Sequence, residues 1–180
     1  MQPKPKNFLL TILWAGLLVG YLDITAAIFN FMFNNDGSPR LIFRYIASAA
    51  FGQKRAYSES SMIAFGALFH FLVAYSFTIF FFIIYPRLKF LSRNRFITGF
   101  VYGCFVWCIM NLLIVPNTYL SRFPTLGWRM FLQVGILILA IGIPLSYIAY
   151  WFYSGRRTSN QPQAAIYNEI KTIQNEKIPS

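Results

Sequence analysis

Three residues able to do chemistry stand inside long apolar stretches: Asp23, His70 and Asn111. A carboxylate beside an imidazole can trade a proton near neutral pH, because the anion favours the imidazolium while burial opposes it. Asn111 adds an amide that both donates and accepts hydrogen bonds. Two readings of the trio stay open. In one, Asp23 and His70 sense or pass a proton. In the other, the three side chains satisfy one another as interhelical hydrogen bonds, worth roughly 0.6 to 2 kcal/mol each, and only set helix register. No metal is expected, since one His with one Asp falls short of the usual ligand set. A Cys108 nucleophile paired with His70 lacks a third, orienting group.

The elements that must position these residues are apolar blocks. Hydrophobic residues make up 57% of the 180 positions and charged ones 12%, gathered into stretches at 8–33, 62–85, 96–115 and 131–152. A hydrocarbon core of roughly 30 Å needs about 20 helical residues. In lipid each backbone N–H and C=O must be paired inside its own segment, and these runs lack the alternation of a barrel. The expected class is therefore all-α: an integral membrane four-helix bundle occupying residues 1–157, with 158–180 as a flexible cytoplasmic tail too polar to offset its ordering entropy.

The net charge of +11 does not point to nucleic acid, because the basic residues cluster at segment ends and form no long run. They act as topology signals. Ten Lys or Arg residues lie on the side of the two termini and the middle loop, and six on the other. The positive-inside rule then places both termini in the cytoplasm, although Arg40, Arg44, Lys54 and Arg55 weigh against it. The first apolar run continues past Ala26 and Ala27 to Phe33, so it reads as an uncleaved anchor rather than a signal peptide. Cys104 and Cys108 fall one helical turn apart on one face, which suits neither a disulfide nor a zinc framework.

On the first span Gly16, Gly20, Asp23, Ala27 and Asn30 follow spacings of four and three, making one narrow stripe of small and polar side chains. Gly16 with Gly20, and Gly99 with Gly103, are GxxxG pairs that suit close helix packing, within the chain or between copies in a homo-oligomer. A charged carboxylate at mid-membrane costs about 2.5 to 3.5 kcal/mol, so Asp23 is expected to face the bundle interior. His70 has room beside Gly66, Ala67 and Ala74, and on this topology all three polar residues sit in the same half of the bilayer.

Between spans one and two, Ser38 as N-cap, Pro39 at the first helical position and Gly52 past the end predict a short helix over 39–51, either interfacial on the membrane or a connecting helix packed on the bundle ends. Leu41, Ile42, Tyr45, Ile46 and Ala49 would form its apolar face, with Arg40, Arg44 and Ser48 on the polar one. Gln53 to Ser61 reads as a solvated loop. The short basic turn after Pro86 predicts that spans two and three are antiparallel neighbours. Pro116 should end span three, and Pro144 should bend span four. Trp14, Tyr85, Trp128, Tyr150, Trp151 and Tyr153 lie near span ends and read as headgroup-level anchors.

From His70 through Ser76, Tyr85-Pro86-Arg87-Leu88-Lys89, Gly99-Phe100-Val101-Tyr102-Gly103 and on to Asn111 and Pro116, the chain resembles the YagU-like family of bacterial inner-membrane proteins. The resemblance covers spans two and three. It implies a bacterial inner-membrane location and a role in acid resistance. Family members can carry histidine where this chain has Asn111, which weighs against a two-histidine mechanism. Over most of its length the chain also resembles four-span membrane proteins of Bacteroidetes.

No G-x-S-x-G elbow, Walker A loop, HExxH or dinucleotide-binding glycine pattern is present, and no enzyme or cofactor is expected. The sequence reads as a non-enzymatic stress-related protein or a component of small-solute or proton transport. Its partners would be the lipid bilayer, a small ligand or proton, and further copies of itself. The alternative is a structural or assembly protein whose polar residues only fix packing.

Overall fold

The computed structural model describes residues 7–34, 38–87, 94–124 and 127–154. Six helices follow in chain order. They are α1 (Phe8–Asn34), α2 (Arg40–Phe51), α3 (Gln53–Ser58), α4 (Met62–Ile84), α5 (Arg95–Asn117) and α6 (Trp128–Ser154). No strand occurs among the described residues. Four of the helices, α1, α4, α5 and α6, are long and apolar enough to cross a membrane. The chain is an all-α, multi-pass membrane bundle. The tail at 158–180 lies outside the described residues.

Two of the spanning rods change their winding, and each change comes immediately before a proline. In α5 an α-helix to Cys108 gives way to a π turn at Ile109–Ile114 and a tighter 3₁₀ turn at Val115–Asn117 that holds Pro116. In α6 a π turn covers Ile138–Gly142, two residues before Pro144. Proline lacks an N–H and crowds the carbonyl four residues earlier. A wider i→i+5 turn relieves that crowding without breaking the rod. Beside Pro144 the helix thus changes its winding to a π turn. At the start of α5, the Asn94 side chain accepts hydrogen bonds from Phe96 N–H at 3.0 Å and Ile97 N–H at 3.4 Å, capping donors that have no partner within the helix.

α4 is the hub. Its aromatic side chains Phe77, Phe81 and Phe82 are buried in one core with Val19 of α1, Val106 of α5, and Leu145, Ala149 and Phe152 of α6. α4 and α5 are neighbours, as the short turn predicts, but they meet through rings rather than backbones: Phe81 and Tyr102 centroids lie 4.4 Å apart. The closest backbone approach of α5 is to α6. A methyl built on Gly103 would stand 2.5 Å from Ile138 Cα, one on Gly99 would stand 2.8 Å from Ile143 Cα, and one on Gly142 would overlap the Gly99 carbonyl. The π turn of α6 packs against α1 as well as α5.

The connection between α1 and α4 departs from its expected form. The segment read as a solvated loop forms α3, because Ala56 finds a buried seat against Ala47 and Met62. The buried residues of α2 are Ile42, Ala47 and Ser48, so its inward side includes one serine expected on the polar face. Ser48 is buried, its hydroxyl donating to the Tyr45 carbonyl at 2.7 Å, while Tyr45 is exposed. Half-buried Arg44 donates to the Tyr57 carbonyl. The reason is Gly66: lacking a side chain, it admits the α2 backbone at Phe43 directly onto α4. Packing against that groove outweighs the amphipathic pattern. Phe51, at the far end of α2, meets the rings of Phe65 and Phe69 at 5.5 and 5.8 Å.

Candidate functional site

The seam between α1 and α4 holds two of the three polar residues. Gly16 and Gly20 form its α1 side, and aromatic rings of α4 fill the space they leave. Tyr75 lies over Gly16, while Phe71 and the Ala74 methyl lie over Gly20. These glycines are therefore covered within the chain. The Tyr75 hydroxyl donates to the Leu13 carbonyl at 2.9 Å. Seven residues further along α1, the Gly20 carbonyl lies 2.8 Å from His70 Nε2.

That contact assigns the histidine tautomer. A carbonyl oxygen only accepts, so Nε2 must carry a hydrogen and donate it. In the neutral ring Nδ1 is then the bare nitrogen, and any proton gained is taken up there.

Asp23 sits one turn beyond Gly20 on α1 and is half-buried. Asp23 and His70 therefore flank the same stretch of the α1–α4 seam, His70 through its bond to Gly20. No hydrogen bond or ion pair joins the two among the described residues.

Asn111 is elsewhere. It lies in the π turn of α5, and its Nδ2 donates to the Trp107 carbonyl of its own helix at 3.1 Å. Closest packing sets α5 against α6, and α6 in turn packs on α1. No hydrogen bond among the described residues links Asn111 to Asp23 or His70, so the three do not form the expected hydrogen-bonded cluster. Above Asn111 on the same face, Trp107 is 7% exposed, and its indole N–H has no partner among the described residues. Cys104 and Cys108 are free thiols.

Three tyrosines complete a set of interhelical ties. Besides Tyr75, Tyr102 of α5 donates to the Phe77 carbonyl at 2.7 Å, and Tyr153 of α6 donates to the Phe82 carbonyl at 2.7 Å. Tyr85 and Tyr153, read as headgroup anchors, turn inward and stack with centroids 5.6 Å apart. Tyr150 instead lies under the Arg95 guanidinium, 3.8 Å from the ring centroid. Trp14, Trp128 and Trp151 are exposed. A signal for two of the ties was present in the sequence: Tyr75 and Tyr102 lie well inside spans, where a hydroxyl has no water and needs a protein acceptor.

Among the described residues no group of three or more His, Cys, Asp or Glu is placed to hold a metal ion. The arrangement supplies a carboxylate and a titratable ring at one helix seam, braced by side chain to carbonyl bonds. Searches for similar proteins match no family model, no curated protein and no solved structure.

Proposed function

We propose that this is a non-enzymatic protein of the bacterial inner membrane, with both termini cytoplasmic. In this reading Asp23 and His70 form a proton-responsive element serving acid-stress resistance or the coupled movement of a small solute or proton. The observation that carries the reading is the bond from His70 Nε2 to the Gly20 carbonyl, one turn from a half-buried carboxylate. It leaves Nδ1 to take the proton while the helix contact holds. Asp23 and His70 can then exist as neutral acid with neutral ring, or as carboxylate with imidazolium, and pass between the two by moving one proton. The neutral pairing is favoured by the apolar surroundings and the charged one by mutual attraction. The resemblance of spans two and three to the YagU-like family supports an acid-related role.

The series of tyrosine to carbonyl bonds favours a second reading, in which His70 is one more register-fixing donor in a structural protein. Two substitutions separate them. Glutamine at position 70 keeps an N–H for Gly20 but cannot gain a proton, whereas alanine loses both. In cells, and in proteoliposomes carrying a pH-sensitive dye, H70Q is expected to abolish an acid-dependent growth or proton-uptake response at normal protein level. Asp23→Asn should do the same. A wild-type response in H70Q, with only H70A losing abundance, would leave packing as the role of this histidine.

A further inference from the structure

The α2–α3 layer and the α5–α6 loop lie at the same end of the bundle and are joined, since Tyr119 N–H donates to the Ala49 carbonyl at 3.1 Å. This end carries Arg40, Arg44, Lys54, Arg55, Arg122 and Arg129, all exposed except half-buried Arg44. Two of the six are engaged. Arg44 is held on the Tyr57 carbonyl, and Arg55 pairs with Glu59 at 3.1 Å while lying over the Phe51 ring. Glu59 is the one acidic residue described at this end. Arg40, Lys54, Arg122 and Arg129 form no ion pair among the described residues.

Their depth is set by the fold. Lys54 and Arg40 belong to helices that close against the first turns of α4, and Arg122 and Arg129 flank the start of α6, so these cations stand beside the ends of spanning helices. Exposed aromatic rings stand there too: Tyr119, Phe123 and Trp128 are 74%, 73% and 71% exposed. Amphipathic rings of this kind settle among headgroups. Cations fixed beside them at headgroup depth meet phosphate first. We propose that this end of the molecule is a docking surface for anionic phospholipid, with Arg40, Lys54, Arg122 and Arg129 as its contacts. The partner is identified by charge complementarity and by depth, both independent of the Asp23–His70 seam. The rigid seating of α2 on Gly66 holds Arg40 in place, and the Tyr119 bond ties the two arms of the surface together.

The test uses the full-length protein in phosphatidylcholine vesicles containing a minority of phosphatidylglycerol, with spin-labelled lipids reporting motional restriction by the protein. Wild type is expected to restrict labelled phosphatidylglycerol severalfold more than labelled phosphatidylcholine, within a ceiling of about fivefold per cation. Raising the salt concentration should erode that preference. The combined variant R40Q, K54Q, R122Q and R129Q should lose a measurable share of it, the cations of the opposite end keeping the rest, with helical content and yield unchanged because all four side chains are exposed. Arg87→Gln, at the opposite end, should retain it. Equal restriction of both lipids by wild type would overturn the proposal, as would persistence of the full wild-type preference in the fourfold variant or an equal loss in R87Q. Displacement by inorganic phosphate, beyond that by chloride at matched ionic strength, would also overturn it by showing a site for the free anion.

Discussion

Gly66 is where a single methyl group tests the packing of the outer layer most directly. A Cβ added there would overlap the Phe43 carbonyl oxygen and stand 2.6 Å from its carbon and 3.0 Å from its Cα. Ordinary carbon contacts need about 3.5 to 4.0 Å, so α2 must retreat by about 1 Å. The obstacle is backbone and cannot rotate aside. Overpacking of this kind costs about 1 to 3 kcal/mol, and a rigid neighbour puts Gly66→Ala near the upper end. Gly135→Ala is the control: it also lies inside a spanning helix, but nothing stands within 4 Å of its added methyl. Helix propensity alone then applies, a gain of about 0.5 to 1 kcal/mol. Unfolding in mixtures of mild detergent and dodecyl sulfate, followed by circular dichroism, should separate the two variants by roughly 3 kcal/mol. Displacing α2 should also speed tryptic cleavage at Lys54 and Arg55, which the Ala47–Ala56–Met62 contacts hold in place. If G66A unfolds like G135A and its cleavage rate is unchanged, the direct seating of α2 on α4 is refuted.

Tyr102→Phe keeps the ring between α4 and α5 but deletes the bond to the Phe77 carbonyl, and should cost about 0.6 to 1.7 kcal/mol in the same unfolding assay. Asn94→Ala removes the cap of α5 and should lower stability by about 1 kcal/mol, with Asn94→Asp restoring it. Asp23→Asn removes a membrane-embedded charge. It should gain up to about 2.5 kcal/mol at alkaline pH, where the carboxylate is ionised, and nothing at acid pH, where wild type is already neutral. Equal gains at both pH values would show that this side chain is never charged in the folded protein. Gly142→Ala, whose methyl would overlap the Gly99 carbonyl, should destabilise by about 1 to 3 kcal/mol by forcing α5 and α6 apart, and a neutral result would refute that contact.

The four spanning helices were legible along the chain because hydrocarbon imposes a length and forbids unpaired backbone, two constraints that need no knowledge of neighbours. Polar residues inside those spans were legible for the same reason, as were the prolines that disturb two of them. Rotation and pairing were not. Asn111 was expected to meet Asp23 and His70, yet it bonds within its own helix, while the glycines of α5 draw that rod against α6. α2 has a polar face by pattern, yet it buries Ser48 because Gly66 offers its backbone a close seat on α4. Linear order states which side chains share a face. Which face meets which partner depends on shape complementarity between surfaces distant in sequence, and in a membrane there is no difference between oil and apolar neighbour to announce that choice in advance.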